Sequence, residues 1–513
     1  MNYKTLSHLI LLTAISLGIY FYIISNKADI NFDYDIIIVG SGLAGLTAAI
    51  EANFISNSKL KILLLEKEEK YGGNSMKASS GINILSSPIQ ARDHISDSFD
   101  LFYADTIKSG KQHSIPELVS TLVTDSHNIY DFYTNLQIDL SKVGMLGGHS
   151  VPRTHRPATT PVGYTLTSSL YKIITTQYTD SIHIATNTTV LELLYDRSNN
   201  IVNGVSYKNE TTGTKGVLYS KTIILATGGY AHDFINDGDN DSDSLLKQYV
   251  PHLMNFPTTN GPQAKGHGVK MARKIGAGLI DMDQVQVHPT GFVDLKDRFN
   301  KKKILAPEII RGVGALLLNQ NSERFCNELG PRDYVSQQII KHCNKQTANV
   351  NIDQYEAIMI LNQRAVDVYG PNMQFYLKQG LVQRYPNAKA VAEKFELDFN
   401  KMKNTFEMYN KNVNGTKDEF GKVYFPQQIN IDEELYVAVV TPSIHYTMGG
   451  VKMTKNGEIQ KESGEVIKAL FGAGEVTGGV HGGNRLGGNS LLECAVFGRR
   501  AARSAVEYVH KRK

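Results

Sequence analysis

The stretch Tyr34-Asp-Ile-Ile-Ile-Val39, running directly into Gly40-Ser-Gly42-Leu-Ala-Gly45, decides the fold. An apolar run of this length that stops at glycine reads as a buried parallel strand, and Leu46 to Ser56 reads as an amphipathic helix behind it. The three glycines serve different ends. Gly40 permits the tight turn, Gly42 lets the backbone approach a pyrophosphate, and Gly45 allows close helix packing. The helix N-terminus then faces the phosphate charge. A second apolar run, Lys61-Ile-Leu-Leu-Leu65, ends in Glu66, 21 residues after Gly45, where a carboxylate accepts from ribose hydroxyls. Strand, glycine turn, helix, strand and acid in this order predict a dinucleotide-binding unit.

Two similar elements lie far along the chain. Thr222-Ile-Ile-Leu-Ala-Thr-Gly228-Gly229 and Ala469-Leu-Phe-Gly472-Ala-Gly474-Glu475 each read as a buried strand ending in glycines. Between the first two strands and these, Gly72-Gly73-Asn74-Ser75 and Ala78-Ser79-Ser80-Gly81-Ile82-Asn83 supply small residues along which an extended cofactor can run. Three separated elements that grip one extended dinucleotide predict FAD.

Bulk properties narrow the class. With 513 residues the chain exceeds one simple core, so two domains are expected. A net charge of +4 is too small for the clustered basic bias of nucleic-acid binding, and no nucleic-acid partner is expected. Cys326, Cys343 and Cys494 are far apart and show no CxxC spacing, so neither a disulfide framework nor a metal site is expected. Leu9 to Ser25 is an uncharged apolar run of 17 residues between Lys4 and Lys27, which reads as a signal or anchor segment. Asn-x-Ser/Thr triplets occur at Asn187, Asn209, Asn240 and Asn414.

Longer motifs carry a resemblance. Gly147-Gly-His-Ser-Val-Pro-Arg-Thr-His-Arg-Pro157, Asp281-Met-Asp-Gln-Val-Gln-Val-His-Pro-Thr-Gly291, Ile444-His-Tyr-Thr-Met-Gly-Gly450 and the glycine-rich run from Gly472 to Glu493 follow one another in order. On these the chain resembles the soluble fumarate reductases, especially those of fungi, and more distantly the flavoprotein subunits of succinate dehydrogenase and bacterial fumarate reductase. The resemblance implies an α/β fold, with a Rossmann-like FAD-binding domain interrupted by an α+β capping domain. It divides the chain into an apolar start (residues 1–28), a first FAD-binding segment (29–283), the cap (284–440) and a second FAD-binding segment (441–513).

The resemblance also assigns roles. Arg332 matches the proton-delivering arginine, with Glu308 and Arg311 as its relay, while His288, His445 and Arg485 match ligands of the substrate carboxylates. FAD contacts carry over to Gly40, Ser41, Gly42, Leu43, Ala44, Gly45, Glu66, Lys67, Asn74, Ser79, Ser80, Gly81, Gly228, Gly229, Glu475, Ser490 and Leu491. No histidine lies between Asn74 and Ser80, where the membrane-complex relatives attach FAD covalently, so non-covalent binding is implied. The chain departs from the family at Pro307, where a threonine is usual, at Gly330-Pro331, and at Lys265-Gly-His-Gly268 in place of a TGDG-like segment.

Physical chemistry supports the set. Fumarate is a small dianion that needs fixed cationic donors, and arginine offers a planar fork for carboxylate. Locally, Arg332 could instead pair with Asp333 or Glu328, Glu308 and Arg311 could be a helix-surface pair, and His288 could cap a strand end. The expected reaction is reduction of fumarate to succinate, with Arg332 as proton donor. Three scattered cysteines cannot hold a four-thiolate cluster, so electrons are expected from a diffusible donor such as free FADH2 or FMNH2, or from a partner protein. A reductase of another 2-enoate and a non-catalytic FAD scaffold are the competing readings. The apolar start predicts the endoplasmic reticulum, anchored or lumenal, or the mitochondrial intermembrane space, with membrane attachment through residues 9–25.

Overall fold

The computed structural model describes residues 31–234, 243–347 and 351–512. The apolar segment 9–25 and Asn240 lie outside the described residues. Among the described residues no helix is long and apolar enough to cross a membrane.

Strand Tyr34–Val39 is central to the first sheet, pairing in parallel with Ile62–Leu65 on one side and Lys215–Leu225 on the other. Val466–Gly472 adds in parallel beyond Lys215–Leu225, and Ile182–Ala185 beyond Ile62–Leu65. Parallel strands put all their C-terminal ends on one edge, where ligands of open α/β sheets bind. Val39-Gly40, Leu65-Glu66, Leu225-Ala226 and Gly472-Ala473 therefore meet there although hundreds of residues separate them.

The helix after Gly42 runs Leu43–Ile55, and every residue from Leu43 to Asn53 is buried. It is not the amphipathic helix that its sequence predicts. The sheet lies on one side and the C-terminal helix Asn489–Lys511 packs on another, so only the last turn of Leu43–Ile55, at Phe54, reaches water. Glycine makes that contact close: a Cβ on Gly498 would stand 2.8 Å from the Ala44 carbonyl oxygen.

The second sheet is antiparallel, ordered Ile304–Leu305, Val285–Phe292, Leu435–Thr447, Ala357–Asn362, Leu316–Leu318, with Gln383–Tyr385 also on Leu435–Thr447. Strand Leu435–Thr447 crosses position 440, the expected end of the cap, without a break. Two register shifts mark the pairing of Val285–Phe292 with it, one between Gln286 and Val287 and one between His288 and Gly291. Bulges re-aim side chains and gather beside functional sites. Here they fall at His445, which is the extra residue between Ile444 and Tyr446, and at His288.

Behind this sheet lies a buried charge cluster. Arg324 reaches Glu328 at 2.8 Å and Asp418 at 2.8 Å, and Lys422 Nζ reaches Glu328 at 3.0 Å. Burial alone would raise the Glu328 carboxyl, but Lys422 and Arg324 hold it down, to about 2. The cluster stabilises the fold above the usual glutamate value of about 4.3, and that contribution is lost as pH falls toward 2. Glu328→Gln takes from buried Lys422 its carboxylate and leaves Arg324 only Asp418, and it should lower unfolding free energy by about 3–5 kcal/mol. Urea denaturation at pH 7 and pH 3 reads this as a deficit that narrows in acid.

Candidate active site

A cleft opens on the C-terminal edge of the parallel sheet. Its lining includes Gly40, Gly42, Leu43, Ala44, Glu66, Lys67, Asn74, Ser79, Ser80, Gly81, Gly228, Gly229, Glu475, Ser490 and Leu491. Ser41 and Gly45 of the predicted set do not line it. Ser41 turns inward, where its N–H and hydroxyl donate to Glu66 Oε2 at 2.9 and 2.7 Å. Gly45 serves packing, since a Cβ there would sit 1.9 Å from the Gly40 carbonyl oxygen.

The cleft fits an extended dinucleotide. A Cβ on Gly42 would meet only Ser75 Oγ at 3.7 Å, and one on Gly228 nothing within 4 Å, so both would project into the cleft. Side chains at these points would take the ligand's space. Helices Leu43–Ile55 and Asn489–Lys511 both begin at glycines with no side-chain cap, and Leu43, Ser490 and Leu491 of their first turns line the cleft, which puts the positive helix ends beside it. Asn74 to Ser80 pass along the wall without a histidine.

The same cleft continues to Arg332, His445 and Arg485. Arg332 begins helix Arg332–His342 directly after Pro331, and Glu308 begins helix Glu308–Gly312 directly after Pro307. Each proline fixes its φ near that of a helix start, at −52° and −59°, so both charged residues leave rigid turns. Arg332 Nε and Nη2 lie 2.7 and 2.6 Å from Glu308 Oε2, and Nη1 donates to Gln286 Oε1 at 2.8 Å. Asp333 pairs with Lys111 and Glu328 with Arg324, which removes the two local partners that spacing offers Arg332.

Glu308 and Arg311 are buried, at 1% and 0% exposure, so they are no helix-surface pair. Arg311 Nη2 stands 3.8 Å from Glu308 Oε1, and Arg311 Nη1 donates to the Glu328 carbonyl at 2.5 Å. Burial would raise Glu308, yet Arg332 and Arg311 hold it down to about 2. It is a carboxylate throughout the working range.

His445 shares a 2.7 Å hydrogen bond with Thr259 Oγ1, and its ring centroid lies 5.0 Å from that of His288. His288 accepts the Thr290 N–H at Nδ1, 3.2 Å, so it does take a local turn bond. Its Nε2 is buried without a hydrogen-bond partner among the described residues, as are Nε of Arg485 and Nε and Nη2 of Arg311. His288, Glu308 and Arg311 stand behind the cleft wall rather than in it. Burial, then the nearby arginines, holds both histidines well below their ordinary value, so both are neutral. Burial also lowers Arg485, to about 10, which leaves it charged at neutral pH. Burial pushes Glu475, bonded to Thr447 further along the cleft, up to about 7.

Several contributors escape sequence reasoning. Asn260 accepts from Asn74 at 2.5 Å and donates to the His445 carbonyl at 2.8 Å, tying the two ends of the cleft together. Gln286 holds Arg332 and donates to the Arg485 carbonyl at 2.8 Å. Arg485 lies over the Tyr446 ring at 4.4 Å.

The FAD binding domain family matches residues 35–491. The chain is 38% identical to the fumarate reductase of Schizosaccharomyces pombe over 477 residues, covering 91% of this chain and 88% of that protein. It belongs to the fumarate reductase family. Fumarate reductase 1 of Saccharomyces cerevisiae is 36% identical over 481 residues, covering 91% of this chain and 98% of that one. A flavocytochrome c3 fumarate reductase in its open conformation superposes with a TM-score of 0.71 at 29% identity, covering 96% of this chain and 81% of that one. The chain is thus an FAD-binding oxidoreductase.

Proposed function

We propose that the protein reduces fumarate to succinate. The observation that carries this reading is the charge of the site: Arg332, Arg311 and Arg485 gather where Glu308 is the one carboxylate hydrogen-bonded to Arg332, Glu475 further along the cleft is held up to about 7, and both histidines are neutral. Buried positive charge is in excess there, which a dicarboxylate dianion offsets more fully than a monocarboxylate.

The glycine elements around Gly40, Gly228 and Gly474 would hold FAD, which in its reduced form would supply the hydride. Arg485 and His445 hold one carboxylate, with Tyr446 beneath the Arg485 guanidinium, and His288, whose ring lies 5.0 Å from that of His445 behind the wall, supports that end of the site. Arg332 delivers the proton. Three of its five N–H groups are committed, two to Glu308 and one to Gln286, which leaves one on each terminal nitrogen for the cleft. A guanidinium is a weak acid, so it transfers a proton only to a strongly basic carbon, and Glu308 with Arg311 restores it.

The chain has three cysteines and so carries no four-thiolate cluster of its own. A diffusible reduced flavin is the donor this supports, and the apolar segment 9–25 supports a place in the endoplasmic reticulum or the mitochondrial intermembrane space. The test is anaerobic reduction of the bound flavin, followed by fumarate or a monocarboxylate enoate. Rapid reoxidation by fumarate, at least about 100-fold faster than by the monocarboxylate, is expected, as a mismatched charge in a buried site costs several kcal/mol. Equal rates, or none with fumarate, would overturn the reading.

A further inference from the structure

The Glu308 carboxylate sits in a slot between two glycines from distant stretches of the chain. A Cβ built on Gly147 would come 2.7 Å from Glu308 Oε1, and one built on Gly487 would come 2.7 Å from Glu308 Oε2. The Gly147 N–H also donates to Oε1 at 2.9 Å. Neither glycine has a left-handed backbone, so conformation does not call for glycine at either place. At Gly487 what calls for it is the nearness of the carboxylate; at Gly147 the Gly330 carbonyl oxygen, 2.8 Å from such a Cβ, calls for it as well.

A scaffold holds both walls. Arg153 is fully buried and paired with Asp97 at 2.9 Å and Asp105 at 2.5 Å. It donates to His149 Nδ1 at 3.2 Å, which leaves Nε2–H of His149 to donate to the Gly487 carbonyl at 2.9 Å. Asp105 accepts from the Ser150 N–H at 2.8 Å. Segment 147–150 is thereby fixed, and through His149 it fixes Gly487, two residues beyond Arg485.

We propose that Gly147 and Gly487 are positioning residues of the proton relay: together they form a slot that holds the Glu308 carboxylate against Arg332. The proposal rests on the reading of Arg332 and Glu308 as proton donor and relay. The slot adds what charge alone cannot. Arg311 lies 3.8 Å from Glu308 without a hydrogen bond, so attraction to two guanidiniums leaves the carboxylate a range of poses. The glycine walls and one amide select the pose that puts Oε2 on both Nε and Nη2 of Arg332. A displacement of about 1 Å at such a centre costs on the order of 100-fold in rate.

Gly487→Ala tests the slot. Its new methyl meets only side-chain ends, Glu308 Oε2 and Leu146 Cδ1 at 3.0 Å, so the carboxylate yields rather than the backbone. The variant should keep its FAD and its affinity for a dicarboxylate such as malonate, read by perturbation of the flavin spectrum. Reoxidation of its reduced flavin by fumarate should slow by about 10–100-fold. In a Glu308→Asp background, whose carboxylate is withdrawn by about one bond of 1.5 Å, the alanine should cost less than 3-fold. A purely structural role would give the same loss in both backgrounds. An unchanged rate, equal losses in the two backgrounds, or loss of FAD from Gly487→Ala overturns the slot. A crystal structure of Gly487→Ala separates this from failure of the functional reading. An intact Glu308–Arg332 pair overturns the slot whatever the substrate is, whereas a displaced pair upholds it even if fumarate does not oxidise the parent flavin.

Discussion

Arg332→Ala should retain its flavin and yet reoxidise it with fumarate about 10⁴-fold more slowly than the parent. General acid catalysis accounts for up to about 10⁴, and the loss of a buried cation beside developing charge adds to it. Retention of FAD is expected because Arg332 bonds Glu308 and Gln286 and none of the glycine elements. The losses should appear in kcat more than in KM, since Arg485 and His445, the proposed carboxylate ligands, remain in the cleft. Arg332→Lys separates charge from geometry. An ammonium is a point donor and cannot span Glu308 and Gln286 together, so charge is kept while the proton loses its fixed direction. Stopped-flow reoxidation of the photoreduced variants decides the matter. A residual rate above one tenth of the parent's would remove Arg332 from proton delivery.

The elements of this site differ in how far they can be read from sequence. The glycine elements around Gly40, Gly228 and Gly472 are legible because parallel strands bring their C-terminal ends to one edge, whatever their separation in sequence. The helix behind Gly42 is misread as amphipathic because its second covering layer, Asn489–Lys511, comes from the other end of the chain. Glu308, Arg311 and Arg332 are legible as a set through the family motifs, but their geometry is not. Spacing of i, i+3 predicts an ion pair, whereas Arg311 gives its closest hydrogen bond to the Glu328 carbonyl. The aim of His288 and His445 depends on bulges, which are properties of the register between strands some 150 residues apart. Gly147 and Gly487 look like ordinary loop glycines until the Glu308 carboxylate is placed between them. Local patterns encode what local backbone must do, and they are silent on which distant side chain arrives.

Glu308→Gln is the second large effect, and it splits stability from affinity. The parent carboxylate accepts from Arg332 Nε and Nη2 and from the Gly147 amide. An amide of the same shape must turn its NH₂ toward either the guanidinium or the Gly147 N–H, so a donor faces a donor. Two buried guanidiniums also lose their counter-charge, which should cost about 3–5 kcal/mol of folding free energy at pH 7. The pH dependence follows from the folded value of about 2 against about 4.3 when unfolded. A depressed carboxyl contributes stability above its unfolded value and loses it as pH falls through the folded one, so the deficit of Glu308→Gln should shrink between pH 4 and pH 2. Substrate affinity should move the other way. The site gains one net positive charge, so dicarboxylate binding at pH 7 should hold or tighten while kcat falls by about 100–1000-fold, the range of a lost proton-transfer group. A variant that binds malonate as well as the parent, melts earlier and turns over slowly fits a relay carboxylate. Weakened malonate binding with kcat intact would instead place Glu308 in the substrate cradle.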